Sequence, residues 1–326
     1  MHPAFSVIFL TTLIGVGQGF FLALYTGQVY ALANLLPAQD SQGFYAVGSF
    51  LSLLFLGGGL VASFFHLGRP ERAWRSASQW RTSWLSREVI VLPAFMFLVL
   101  IYGLFHYAGW TAPLLTVAGT LPLDATLIVG FLAAATAFAL FICTAMIYAS
   151  LKFLAEWHSA LTVANYTLLG LASGFTLAAA FSAYSGFGLL VFYGTWAVIF
   201  TLMALVSRVA SLIRNHRLRS RVTLKSAIGA HHSSMRQQTQ GFTGSSFNTR
   251  EFFHGRSAAG LRLMRYAFLL LVFPLPVLLL AAAYALQSPT LPLLAFLCQY
   301  LGLISERWYF FAEARHPQNL YYQSMS

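Results

Sequence analysis

Runs of twenty or more residues with scarcely a charge recur along the whole chain, and this constrains its fold more than any other feature. A membrane-crossing helix needs about 20 predominantly apolar residues. Hydrocarbon cannot satisfy an unpaired backbone N–H or C=O, so successive runs of this kind pack as helices. The runs place eight helices at about 5–33, 44–66, 88–108, 122–150, 159–182, 186–208, 264–287 and 290–312. The breaks between them are marked by Pro37 and Asp40, Pro113 to Pro122, Tyr184 to Gly186, and Ser288 to Pro292. The expectation is an all-α polytopic membrane protein, an eight-transmembrane-helix bundle forming one integral domain over residues 1–326, with one long basic loop at 209–263. Charged residues make up only 8% of the chain, against about 25% in soluble domains. The first run, from about Phe5 to Leu32, has no basic residue before it and no small-residue cleavage site after it, which predicts a retained helix rather than an export signal.

On that map the 19 Lys and Arg residues all fall on one side. Five lie between helices two and three, Lys152 lies between four and five, eleven run from Arg208 to Arg265, and Arg307 and Arg315 end or follow helix eight. The other side carries only Asp40 and Asp124. By the positive-inside rule the basic side is cytoplasmic, and both termini lie there. Trp80, Trp84, Trp157, Trp308 and Tyr309 gather near the same ends, as interfacial aromatics do. The formal charge of +11 is thus a topology signal, and no aromatic-basic reading surface accompanies it to suggest nucleic acid. Cys143 and Cys298, both in apolar runs, can build neither a zinc site nor an iron–sulfur cluster. No metal site is expected in this chain, and any cluster belongs to a partner. The polar stretch from about Asn215 to Arg262, with His231, His232 and the Gln237 to Gly244 region, is either a solvated loop or a docking surface for a cytoplasmic partner.

Chemistry concentrates between His66 and Glu88. His66 ends the second helix and Glu88 opens the third, so a hairpin could bring imidazole and carboxylate together at the membrane boundary. A quinone headgroup exchanges two electrons and two protons and needs groups that trade protons near neutral pH, beside an apolar cleft for its tail. The alternative is structural: His66 caps its helix, and Glu88 pairs with Arg87 or another arginine. Arg69, Arg72 and Arg75, with Trp74, Ser86 and Arg87, are either topology-setting and interfacial residues or contacts to the pocket or a partner.

The sequence His66-Leu-Gly-Arg-Pro70, followed by Trp80-Arg-Thr-Ser-Trp-Leu-Ser-Arg-Glu88, resembles the membrane anchor of the dimethyl sulfoxide reductase family. The opening His2-Pro-Ala-Phe-Ser6, the Gly15-Val-Gly-Gln-Gly19 set and the closing Glu306-Arg-Trp-Tyr-Phe-Phe-Ala-Glu-Ala-Arg-His-Pro317 fit the same resemblance over effectively the whole chain. The resemblance implies an eight-helix subunit of a bacterial inner membrane that anchors a molybdopterin catalytic subunit and an iron–sulfur subunit. It implies exchange of electrons with ubiquinone or menaquinone, quinone binding at the position of His66 with Glu88 as companion, and no haem. With catalytic partners on the cytoplasmic side, the type resembled most is the anchor of membrane-bound sulfite dehydrogenases, with quinol-driven dimethyl sulfoxide reduction as the other reading.

Gly15, Gly17 and Gly19 lack the βαβ context of a dinucleotide fingerprint; Gly15 with Gly19, and Gly170 with Gly174, read instead as small faces for close helix packing. Gln18, deep in the first helix, is expected to make an interhelical hydrogen bond rather than touch quinone. Two other function classes fit a polytopic apolar chain: a secondary transporter and a purely structural tether. The transporter is disfavoured because all eight acids lie near helix ends or in loops rather than at mid-depth.

Overall fold

The computed structural model describes residues 1–117, 121–218 and 254–317 together with 223, 229, 232 and 319. Its helices are α1 (Phe5–Leu32), α2 (Val47–Phe64, entered through a π-helical turn at Ser41–Ala46), α3 (Trp84–Tyr107), α4 (Ala125–Ala149), α5 (Ala160–Ser182), α6 (Phe187–Arg217), α7 (Ala258–Val272), α8 (Pro274–Leu286) and α9 (Leu291–Glu313). Seven stretches among the described residues are long and apolar enough to cross a membrane, with α7 and α8 counting as one span from Ala258 to Leu286. The helix expected at 290–312 is present as α9. Gln299, Glu306, Arg307 and Glu313 lower its hydropathy, and it is not among those seven.

Local chemistry sets the helix starts. Ser83 accepts from Ser86 N at the head of α3, Asp124 from Leu127 N at 2.8 Å at the head of α4, and Ser257 from Gly260 N at 3.2 Å at the head of α7. The break between α7 and α8 falls at Phe273, where Pro274 has no N–H to continue the ladder. Two expectations are corrected. The segment around Pro113 to Pro122 is not a simple turn but an antiparallel hairpin, β1 (Pro113–Val117) and β2 (Leu121–Asp124), paired Thr116 to Pro122 and Val117 to Leu121. Prolines at both ends exclude a helix there. The sixth helix does not end at 208 but continues to Arg217, and the seventh begins at Ala258, so both ends of the expected 209–263 loop are helical. Most of the remainder, with His231 and the Gln237 to Gly244 region, lies outside the described residues.

α1 and α5 form the enclosed centre of the bundle. They cross through the two expected glycine pairs, which turn out to pack on each other: a Cβ on Gly19 would sit 2.0 Å from the Gly170 carbonyl oxygen, and one on Gly174 would sit 2.1 Å from the Gly19 carbonyl carbon. Gln18 makes the expected interhelical bond, donating to Ala137 O at 2.9 Å. Phe50, Phe97, Phe131, Leu278 and Leu301 point outward from α2, α3, α4, α8 and α9, the distribution expected when lipid is the solvent. Trp157, Trp308 and Tyr309, expected at the interface, are instead buried in a second apolar cluster near the basic ends, where Trp157 donates to Phe310 O at 3.0 Å.

Candidate functional site

His66 lies two residues beyond the end of α2, and its backbone N–H closes the last turn onto Ser63 O at 3.3 Å. Its side chain is exposed, although the surrounding protein desolvates the ring enough to lower its pKa from the ordinary histidine value. An apolar groove of about 330 Å³ lies between α1 and α2, walled by Ser6, Phe9 and Leu13 on one helix and by Gly58, Val61, Ala62 and Phe65, the residue before His66, on the other. The groove is within the usual range of small-molecule sites, about 300–1,000 Å³. Gly58 helps to open it, since a Cβ there would meet only Leu13, at 3.6 Å.

Glu88 occupies a different setting. It is the fifth residue of α3, about 6 Å along the axis from Trp84, and it is buried. Its carboxylate accepts a short hydrogen bond from Thr144 Oγ1 of α4. The arginine pairing weighed for Glu88 does not occur with its neighbour: Arg87 donates to Trp80 O at 2.9 Å and Arg81 O at 2.8 Å, and its guanidinium lies 4.1 Å over the Trp84 ring. No hydrogen bond or ion pair joins His66 to Glu88 among the described residues. His66 follows Phe65 of the groove wall in the chain, and Glu88 meets α4 through Thr144.

Thr144 also lines a small cavity of about 20 Å³ among α1, α4, α5 and α9, with Thr11, Thr12, Gln18, Tyr166, Ser173 and Arg307 as its polar wall. Next to it is a group of charges that sequence reasoning placed in loops or at helix ends. Glu306 Oε1 pairs with Arg208 Nε at 2.7 Å and Oε2 with Arg307 Nε at 2.6 Å, with all three side chains 5% exposed or less. The Arg307 guanidinium lies 4.0 Å over the Tyr166 ring, and that of Arg208 lies 5.4 Å from Phe268. Arg208 is nine residues inside the end of α6, and Glu306 is about 10 Å inside the end of α9. Arg208, counted as loop charge, and Arg307, placed at a helix end, are therefore interior residues. The expectation that every acid lies near a helix end or in a loop understated how far inside Glu306 sits: it is buried, seven residues before the end of α9. The available signal was an adjacent Glu-Arg pair inside an apolar run, which marks a functional or interhelical group by default.

The remaining residues singled out from the sequence lie on the basic surface. Pro70–Gln79 forms a 3-10 helix with no buried residue, carrying Arg72, Trp74 and Arg75, and Arg69 precedes it. Arg72 approaches only Glu71, at 3.8 Å, and Trp74 is 71% exposed. Ser86 is buried in the first turn of α3. No group of three or more metal-ligating side chains occurs among the described residues.

The helical membrane bundle agrees with the comparisons with known proteins. A sulfite dehydrogenase subunit of Allochromatium vinosum is 62% identical to this chain over 326 residues, the full length of both. The family described as DMSO reductase anchor subunit (DmsC) matches residues 1–312, and the chain belongs to that family.

Proposed function

We propose that this chain is the quinone-reactive membrane anchor of a molybdopterin and iron–sulfur oxidoreductase that oxidises sulfite on the cytoplasmic face of a bacterial inner membrane and passes the electrons to quinone. Family membership supports the anchor role, and the relative named as part of a sulfite dehydrogenase supports the substrate. The observation that carries the quinone site is the apolar groove between α1 and α2, whose wall includes Phe65, the residue before His66. Its walls suit an isoprenoid tail, and the His66 imidazole, next in the chain to Phe65 of the wall, can take up or release a proton near neutral pH. Glu88, on the neighbouring helix α3, is the second proton-exchange group. In this reading all eight expected helices cross the membrane and both termini face the cytoplasm. The exposed segment bearing Arg69, Arg72, Trp74 and Arg75 meets the iron–sulfur subunit, whose cluster supplies the electrons.

A second reading, a quinol-oxidising anchor of a sulfoxide reductase, uses the same groove in reverse and is favoured by the family's description. The transporter alternative is replaced by family membership rather than by any lack of buried charge. The His66→Ala variant tests the site. In the purified complex its quinone-coupled turnover should fall at least tenfold relative to turnover with a soluble dye in the same preparation, within the usual range of general acid–base contributions. An unchanged ratio removes His66 from the site.

A further inference from the structure

The small cavity beside Thr144 is lined by hydroxyls whose protons are already committed. Thr11 Oγ1 donates to Val7 O at 2.9 Å, Thr12 Oγ1 to Ile8 O at 2.8 Å and Ser173 Oγ to Leu169 O at 2.9 Å. Thr144 spends its proton on Glu88. These four hydroxyls therefore offer only lone pairs inward. Facing them, Arg307 brings Nη1 and Tyr166 its phenol O–H, both buried and with no hydrogen-bond partner among the described residues. Two donors facing several acceptors are the complement of a water molecule, which accepts two bonds and donates two to the wall. The volume agrees: about 20 Å³ exceeds the roughly 10–15 Å³ that one water requires. Tyr148 and Tyr166, stacked at 5.6 Å, each lie within Coulomb reach of both Glu88 and Arg307, so the two charges flank one small volume.

We infer that this cavity binds a single structural water, and that the water completes a relay from Glu88 through Thr144 to Arg307. The functional half rests on the reading that Glu88 exchanges protons with quinone. When the Glu88 carboxylate takes up a proton, its new O–H can donate to Thr144 Oγ1. The Thr144 hydroxyl then turns to donate to the water, which turns its own O–H toward Thr11 or Thr12. One proton is gained at Glu88 and no other covalent bond changes. Without the water, the rotated Thr144 hydroxyl could turn only to a carbonyl of its own helix, as Thr11 and Thr12 do, and Glu88 would be uncoupled from Arg307. Thr144 and Arg307 are thus positioning residues for Glu88.

The test uses the membrane complex purified through this chain. A cryo-EM map that resolves ordered solvent should show one water in the cavity, and this water should be lost in Thr144→Val and kept in Thr144→Ser. Quinone-coupled turnover, normalised to dye-coupled turnover of the same preparation, should fall about tenfold in Thr144→Val and recover in Thr144→Ser. A role confined to packing would leave that ratio unmoved. Arg307→Lys, which keeps the charge and removes Nη1, should also lose the water and covers the case in which a neutral substitution does not fold. A dry or side-chain-filled cavity in the unaltered protein overturns the site. A Thr144→Val ratio equal to that of the unaltered protein overturns the relay, while a Glu88→Gln variant with full quinone turnover removes Glu88 from the quinone reaction and leaves the water site to the map.

Discussion

The buried charge triad makes Glu306→Gln the most demanding stability prediction. Glu306 holds two guanidinium groups at 2.6 and 2.7 Å inside the bundle, and the substitution replaces a carboxylate with a neutral amide of the same shape. Removing one member of a buried ion pair costs about 3–5 kcal/mol, because the partner charge stays desolvated. Here two partners are stranded, while the amide oxygen still accepts one bond, so about 4 kcal/mol is expected. At about 2 °C per kcal/mol for a chain of this size, the unfolding midpoint should fall by about 8 °C. The assay is tryptophan fluorescence during heating in detergent, with Glu313→Gln as the comparison. Glu313 accepts from Asn215, at 3.3 Å, and its substitution should cost about 1 kcal/mol. A triple change of Arg208→Met, Glu306→Leu and Arg307→Met should recover most of the loss, as apolar replacements of buried ion networks often do. A midpoint within about 1 °C of the unaltered protein for Glu306→Gln, or a triple variant less stable than the single one, would refute the energetic reading of the triad.

The remaining predictions concern pH and packing. Burial lowers the His66 pKa below the ordinary value of 6.5, so the neutral imidazole dominates at pH 7 and the acid limb of quinone-coupled turnover should lie below pH 6.5; a half-point above that value contradicts the placement. Gly19→Ala would drive a Cβ to 2.0 Å from the Gly170 carbonyl oxygen, where no flexible side chain can yield. Separating α1 from α5 should cost about 1–3 kcal/mol. Gly57→Ala, which meets nothing within 4 Å, should leave the melting midpoint unmoved in the same scan.

The helices were legible because hydrocarbon leaves the backbone few choices, and a run such as Phe5 to Leu32 states its length directly. The glycine faces and the Gln18 bond were legible for the same reason: small and polar groups in lipid must find other helices. Arg208 and Arg307 were misplaced because a positive-inside count records charge near a run's end and is blind to whether the helix continues past it. Helix α6 runs nine residues beyond Arg208, and that extension turns a presumed loop charge into a partner for Glu306. Thr144 and Tyr166 carry no sequence signal at all, since a hydroxyl or phenol in an apolar run has many bland uses. Their relevance comes only from the way α4 and α5 bring them to Glu88 and Arg307. The pairing of His66 with Glu88 was drawn from a hairpin viewed in one plane; in three dimensions His66 is exposed beyond the end of α2, while Glu88 is buried against α4.

What occupies the groove between α1 and α2 decides whether this chain meets quinone on its basic side. Photolabelling the complex with an azido-quinone and mapping the adducts by mass spectrometry tests this directly. The label should fall on Phe9, Leu13, Val61 or Phe65, should be displaced by excess unlabelled quinone, and should be lost with His66→Ala. Displaceable labelling concentrated instead at the opposite end of the bundle, around Tyr45 and His106, would contradict the assignment of the quinone site to the basic side.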